Sequence, residues 1–327
     1  MTLDELRELA RAPASADASP LGVRTWLAVR FANAPPLGSD ECALLATWLR
    51  RQPCPVIALS AAEHPLLPAF DLVLASDAAA APVLDNIRHA PLAAMVLVQL
   101  LRITEELPVA AALTVESLAY ATLQSGPEFR RWLQAQPARA VERPRDEGPP
   151  VLVRRDGDQL GIRLNRPAQR NSLSVEMRDA LCEAFELVVA DPTIRVATVS
   201  ANGPCFSAGG DLGEFGTVTD PATAHAVRSL RLPAAILARC AARVEFHLHG
   251  ACIGAGIELP AFGCRVTAAP DTFVQLPEIR FGLIPGAGGC VSIPRRIGRQ
   301  RAAWLALSGE RVDAGRARGW GLIDAIL

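Results

Sequence analysis

From Val151 onward the chain switches between two hydrophobic periods. Val151-Leu-Val-Arg-Arg and Leu160-Gly-Ile-Arg-Leu164 alternate apolar and polar side chains with period two, and Asp156-Gly157 stands between them. That pattern predicts a two-stranded hairpin. Asn165-Arg-Pro167 then turns the chain. Met177, Leu181, Phe185 and Val188 recur at helical spacing behind Ser174, with Glu176 two positions further on. A helix capped by that serine and ending at Asp191-Pro192 is expected. Val196-Ala-Thr-Val-Ser200 is a short apolar run of buried-strand type. A further strand-to-helix unit centres on Val244 to Glu258, and Arg265-Val-Thr-Ala268 reads as the next strand. Strands alternating with helices predict an α/β domain with a sheet wrapped by helices.

The first half follows another pattern. Pro91 to Leu101 and Val109 to Leu123 are long apolar-periodic stretches, and Glu128-Phe-Arg-Arg-Trp-Leu133 closes with an amphipathic turn, so residues 1–135 are expected to be rich in helix. Between the halves, Gln136 to Pro150 has almost no apolar side chains, and its prolines and charges break both periods. This predicts a linker over 136–150 and a separate core over 151–327.

Half of the 327 residues are apolar, enough for a substantial core. Thirty-three basic against 34 acidic residues leave a net charge of −1, which argues against nucleic acid or an anionic membrane as the main partner. The chain has no lysine, so a phosphate or carboxylate on any substrate would be met by arginine; a codon bias towards Ala, Arg and Pro is the simplest account of that. Eight scattered cysteines form neither a Cys-x-x-Cys pair nor a zinc-finger spacing and read as buried reduced thiols. The opening Met-Thr-Leu-Asp-Glu-Leu is acidic and amphipathic, unlike a secretory signal. The most apolar run, Ala90 to Leu101, is shorter than the roughly 20 residues that span a bilayer. A cytoplasmic protein with no bound metal is expected.

Two carboxylates stand out. Glu258 ends Gly250-Ala-Cys-Ile-Gly-Ala-Gly-Ile-Glu258, and Glu278 opens a stretch that runs through Pro285-Gly286 to Gly289. Small neighbours let backbone N–H groups approach a ligand beside an acid, the raw material of acid/base catalysis next to an anion hole. Cys252 and Cys290 lie in the same stretches without a base beside them and read as small fillers. His247 and His249 fall on one face of a strand-like run without a third ligand, which favours a structural role.

Three segments, Asn165-Arg-Pro…Asn171-Ser-Leu, Phe206-Ser-Ala-Gly-Gly-Asp211-Leu, and Gly250 to Gly289 running on to Arg296-Ile-Gly298, resemble the enoyl-CoA hydratase/isomerase family, the crotonase superfamily. They occur in that family's order, and Leu307-Ser-Gly-Glu to Gly319-Trp-Gly-Leu-Ile-Asp324 extends the likeness over most of residues 151–327. The resemblance implies an α/β, crotonase-like spiral of ββα units that hydrates a 2-enoyl-CoA. The coenzyme A thioester would be the substrate and no cofactor would be needed. It places the oxyanion-binding amides at Ala208 and Ala255 and the catalytic acids at Glu258 and Glu278. Glu278 would donate a proton to the α-carbon, and Glu258 would orient and activate water. Substrate-binding positions fall at Gly209, Gly210, Asp211, Gly254, Gly256, Pro285 and Gly286, with Asp211 equally suited to capping the next turn. Isomerisation of the double bond, or acyl-CoA binding without catalysis, are the other readings. A homo-oligomer, a trimer or a dimer of trimers, is implied as well.

The chain departs from the family in two places. Pro260 removes a backbone donor and is expected to kink the helix carrying Glu258. The sequence also stops after Gly-Leu-Ile-Asp324, where the family continues into covering helices. Ile87-Arg-His-Ala-Pro-Leu-Ala93, Leu100 to Arg102, Glu116 and Ser125-Gly-Pro-Glu-Phe129 resemble those helices, ahead of the core. Val29-Arg-Phe-Ala-Asn-Ala-Pro35 is similar to Ile162 to Pro167, Val56 to Ala61 to Val196 to Ala201, and Leu67-Pro-Ala-Phe70 to Leu259-Pro-Ala-Phe262. Residues 20–135 are therefore expected to be a shortened, degenerate crotonase-like unit that supplies covering helices.

Overall fold

The computed structural model describes residues 1–12, 18–31, 37–136 and 146–327. Most of the expected linker, and residues 32–35 of the first echo, lie outside the described residues. Near the N-terminus α1 (Leu3–Arg11), β1 (Leu27–Arg30), α2 (Ser39–Arg50), β2 (Val56–Leu59) and β3 (Leu72–Leu74) form a small α/β layer. Its strands lie parallel in the order β1-β2-β3. Leu6 of α1 and Leu45 and Leu49 of α2 share a core with Leu27 and Val56 from the strands.

Four helices follow. α3 (Asp77–His89) starts on Ser76, whose hydroxyl accepts the Ala79 N–H. α4 (Pro91–Thr104) departs at 111° from α3, with proline at its first position. α5 (Val109–Gln124) and α6 (Pro127–Ala135) complete the set. The buried Glu128 carboxylate of α6 accepts the N–H groups of Leu92 and Ala93, at 2.8 and 2.9 Å. Those are first-turn donors of α4 with no partner inside the helix, so the acid fastens α6 to α4.

The second half opens on the expected hairpin, β4 (Val151–Asp156) with β5 (Gln159–Leu164), Asp156 facing Gln159 across Gly157-Asp158. α7 (Val175–Ala190) is capped by Ser174, which accepts the Met177 N–H, while Glu176 reaches Arg166 at 2.7 Å. β6 (Val196–Ala201) lies parallel to β5. Then come α8 (Pro221–Leu230), α9 (Pro233–Cys240), β7 (Val244–Leu248), β8 (Ala251–Ile253), α10 (Ala255–Glu258), β9 (Arg265–Ala268) and β10 (Phe273–Gln275). α11 (Gly289–Ile297), α12 (Arg299–Ser308), β11 (Val312–Asp313), α13 (Ala314–Trp320) and β12 (Ala325–Ile326) end the chain. One sheet runs β12-β9-β7-β6-β5-β4 and a smaller one β11-β10-β8.

The N-terminal strands repeat part of the large sheet. β1-β2-β3 are three parallel neighbours in chain order, as are β5-β6-β7, β6-β7-β9 and β7-β9-β12 of the large sheet. The Oδ2 of Asp71, just before β3, accepts the N–H of Val56 in β2 at 2.9 Å, as Asp324, just before β12, accepts that of Val266 in β9 at 2.6 Å.

The halves are joined through buried contacts. Leu97 and Leu101 of α4 and Leu113 of α5 share one core with Val291 and Ile293 of α11. Asp71, 1% exposed, pairs with Arg299 of α12 at 3.0 Å and with Arg102 of α4 at 2.5 Å. Asn86 of α3 donates to the Leu307 and Ser308 carbonyls at the end of α12.

Candidate active site

Gly254 precedes α10 with φ 51° and ψ −121°, a conformation that only glycine adopts without strain. α10 is a single turn. Glu258 is its last residue, and Pro260 starts a separate 3-10 turn over residues 260–262. The expected kink therefore falls after the acid and leaves its aim undisturbed. That aim is fixed from outside: the Oε2 of Glu258 accepts the N–H groups of Ala287 and Gly289, at 2.6 and 2.9 Å, in a side chain only 2% exposed. With one turn of helix behind it, the start of α10 offers individual N–H groups more than a summed dipole.

Glu278 opens a 3-10 turn after Pro277, closed by Gly282 in the left-handed region. A Cβ placed on Gly254 would lie 2.6 Å from the Oε1 of Glu278 and 3.7 Å from the Oε1 of Glu258. The two acids, twenty positions apart, converge on one glycine. The Oε2 of Glu278 is buried without a hydrogen-bond partner among the described residues.

The loop Phe206 to Asp211 runs beside β8, with Ser207 paired to Cys252. Alternation of an extended backbone then sends the Ala208 N–H the other way, where it donates to the Arg170 carbonyl at 2.9 Å. This corrects the expectation for Ala208: its amide is engaged, and the residue is not on the cavity wall. Gly210 and Ala255 do line a cavity of about 220 Å³, together with Glu258 and Glu278. Neither amide has an acceptor among the described residues. Asp211 and Gly286 line it too, and Asp211 accepts the Gly213 N–H at 2.8 Å in the capping role open to it. Gly209, Gly254, Gly256 and Pro285 stand behind the wall. There the glycines allow close approach: a Cβ on Gly209 would lie 2.8 Å from the Ile253 carbonyl oxygen, and one on Gly256 2.6 Å from that of Ser207.

Three residues without a predicted role at the site complete it. Glu116 of α5 is fully buried, and its two oxygens accept the N–H groups of Gly288 and Cys290, at 2.7 and 2.9 Å. Arg228 of α8 donates to the Gly286 carbonyl, lies 4.0 Å from Glu116 and stacks over the Tyr120 ring at 4.4 Å. Tyr120 and Arg228 also line the cavity. A lone acid in the otherwise uncharged helix Val109–Gln124 was the available signal for Glu116.

Burial dominates the electrostatics. It pushes Glu258 up to about 7, against the two amides and Arg228, which favour the charged form. Glu116 rises to about 8 through burial and then the charge of Glu258. Glu278 goes well above the usual carboxylate range for the same two reasons, with no amide from another residue to offset them. Glu258 therefore ionises first and Glu278 keeps its proton, a base and an acid facing one point. The Cys252 and Cys290 thiols are driven up by burial and stay protonated. Among the described residues no three His, Cys, Asp or Glu side chains group as metal ligands.

The profile of a family described as Enoyl-CoA hydratase/isomerase matches residues 159–327. The 2,3-dehydroadipyl-CoA hydratase of Escherichia coli (strain K12) is 34% identical over 179 residues, covering 54% of this chain and 68% of that protein. The cyclohexa-1,5-dienecarbonyl-CoA hydratase of Thauera aromatica is 32% identical over 176 residues, covering 54% and 66%. An enoyl-CoA isomerase/hydratase of Mycosarcoma maydis is covered over 63% of its length. This chain thus spans roughly two thirds of such relatives. Among solved structures, an enoyl-CoA hydratase/isomerase from Mycobacterium paratuberculosis aligns with a TM-score of 0.51 at 31% identity, over 56% of this chain and 74% of that one. An enoyl-CoA hydratase from Thermoplasma volcanium GSS1 aligns at 0.50 and 33%, over 55% and 72%.

Proposed function

Because the chain belongs to the enoyl-CoA hydratase/isomerase family, within the crotonase superfamily, we propose that it adds water across the double bond of a 2-enoyl-CoA to give a 3-hydroxyacyl-CoA. The observation that carries this is the convergence of the Glu258 and Glu278 carboxyls on Gly254, with Glu258 accepting two amides and the Oε2 of Glu278 accepting none among the described residues. Ionised Glu258 takes a proton from water as the water oxygen bonds to the β-carbon. Electrons move onto the thioester oxygen, where the Ala255 and Gly210 amides are the donors available, and two such donors are worth several kcal/mol in the transition state. Neutral Glu278 then protonates the α-carbon, and the proton gained by Glu258 restores the pair. Shifting a double bond needs one acid that returns the proton it took, so the matched pair favours hydration over isomerisation.

The same reading covers the first half as a degenerate crotonase-like unit whose helices close the site formed by residues 151–327. The parallel, chain-order strands β1-β2-β3, which repeat the pattern of the large sheet and are followed directly by α3 to α6, support it.

Replacing Glu278 with Gln keeps its shape and removes the proton to be donated. Turnover of crotonyl-CoA, followed by loss of the enoyl-thioester absorbance, is expected to fall by about 10²–10⁴ in kcat with KM little changed. A Glu278→Gln enzyme with the wild-type kcat would refute the assignment.

A further inference from the structure

Four consecutive amides at the start of α11 alternate between two carboxylates. Ala287 and Gly289 donate to Glu258, while Gly288 and Cys290 donate to Glu116. Both acids are buried, and they reach the strip from opposite halves of the chain, Glu258 from α10 and Glu116 from α5. Successive N–H groups of a tight turn point in different directions, so holding one pair sets where the other pair points. We infer that Glu116 is a positioning residue for the hydration reaction. By fixing Gly288 and Cys290 it aims the Ala287 and Gly289 N–H groups at Glu258 and so sets the acidity and direction of the catalytic base. The inference rests on the hydratase reading.

The charged and titratable groups around Glu258 are few. Glu278 faces it across Gly254, Glu116 and Tyr120 come from α5, Arg228 from α8, and Cys290 from α11. Arg228 bridges the set, since it contacts Gly286, Glu116 and Tyr120 together. Burial raises both acids, and Glu116 touches the strip through the Gly288 and Cys290 amides, so it acts on Glu258 through that shared backbone.

That gives the test a sign. In Glu116→Gln one oxygen becomes an NH₂ that cannot accept, and the strip loosens. Glu258 loses donors that favour its charged form, so the acid limb of the kcat/KM profile moves to higher pH. A shift of about one unit is expected, with about a fivefold loss at pH 7. In a Glu258→Gln background the same change is expected to cost nothing further, because the group it positions is gone. Where Glu116→Gln yields too little folded protein, Glu116→Asp withdraws the oxygens by one methylene and is expected to shift the limb the same way.

A downward shift would mean that Glu116 acts by its charge, and an equal loss in both backgrounds would mean that it serves folding alone; either overturns the inference. An active wild type with an unshifted Glu116→Gln profile does the same and leaves the hydratase reading standing. A wild type inactive on every 2-enoyl-CoA tried removes both.

Discussion

Alanine at position 254 separates the two proposed catalytic acids experimentally. Its Cβ would stand 2.6 Å from the Oε1 of Glu278, closer than real Cβ atoms approach, yet an ordinary 3.7 Å from the Oε1 of Glu258. Glu278 must therefore retreat by about 0.4 Å or more while Glu258, held by two amides, stays. Displacements near 1 Å in an active site cost about 100-fold, so a loss in kcat of roughly 10- to 100-fold is expected on crotonyl-CoA. KM should change little, because the proton donor moves and the amides at Gly210 and Ala255 remain. The backbone also pays, since φ 51° with ψ −121° costs a non-glycine residue about 1–3 kcal/mol. Gly298→Ala separates the two effects: its φ of 81° imposes comparable strain, but nothing lies within 4 Å of the added methyl. Gly298→Ala should lose stability in urea unfolding and keep its kcat. Gly254→Ala turnover within twofold of wild type would refute the placement of Glu278 against Gly254.

Removing the Asp71 side chain strands the Arg102 and Arg299 guanidinium groups, 9% and 4% exposed, without their shared anion. Asp71→Ala should lower unfolding stability by about 3–5 kcal/mol in urea titrations. A fragment beginning at Val151 lacks Glu116 and uncovers the α11 face that α4 and α5 bury, so it should be insoluble or inactive; turnover at the full-length rate would show that the first half is dispensable. Glu258 and Glu116 have folded values near 7 and 8 and an ordinary value of 4.5 when unfolded. The native state binds more protons over that interval, so their contribution to stability is complete below about pH 4.5 and is lost as pH rises to about 8. Unfolding midpoints measured from pH 5 to 8 should show this decline, and Glu116→Gln should flatten it.

Periodicity reveals elements whose burial comes from one repeating face. The β4–β5 hairpin and α7 were legible for that reason, down to the Ser174 cap. β1, β2 and β3 were not legible by period, although the segments holding β1 and β2 resemble those of β5 and β6. Each has three or four residues, too few for a period to show, and is fixed by strand pairing. At the site, the glutamate pair was legible from its glycine-rich setting. The choice between Ala208 and Gly210 was not, because it depends on which side of an extended chain each amide faces. Glu116 stood out as the one acid of its helix, but its role was not legible: its partners lie more than 170 positions away, and no local pattern links a helix to a distant loop.

The alternating strip at residues 287–290 also makes the contact between the halves readable at single amides. The Gly288 and Cys290 N–H groups are bonded to a carboxylate carried on α5, so deuterium reaches them when that contact opens. Exchange at these two amides therefore reports on the same bonds that frame Glu258.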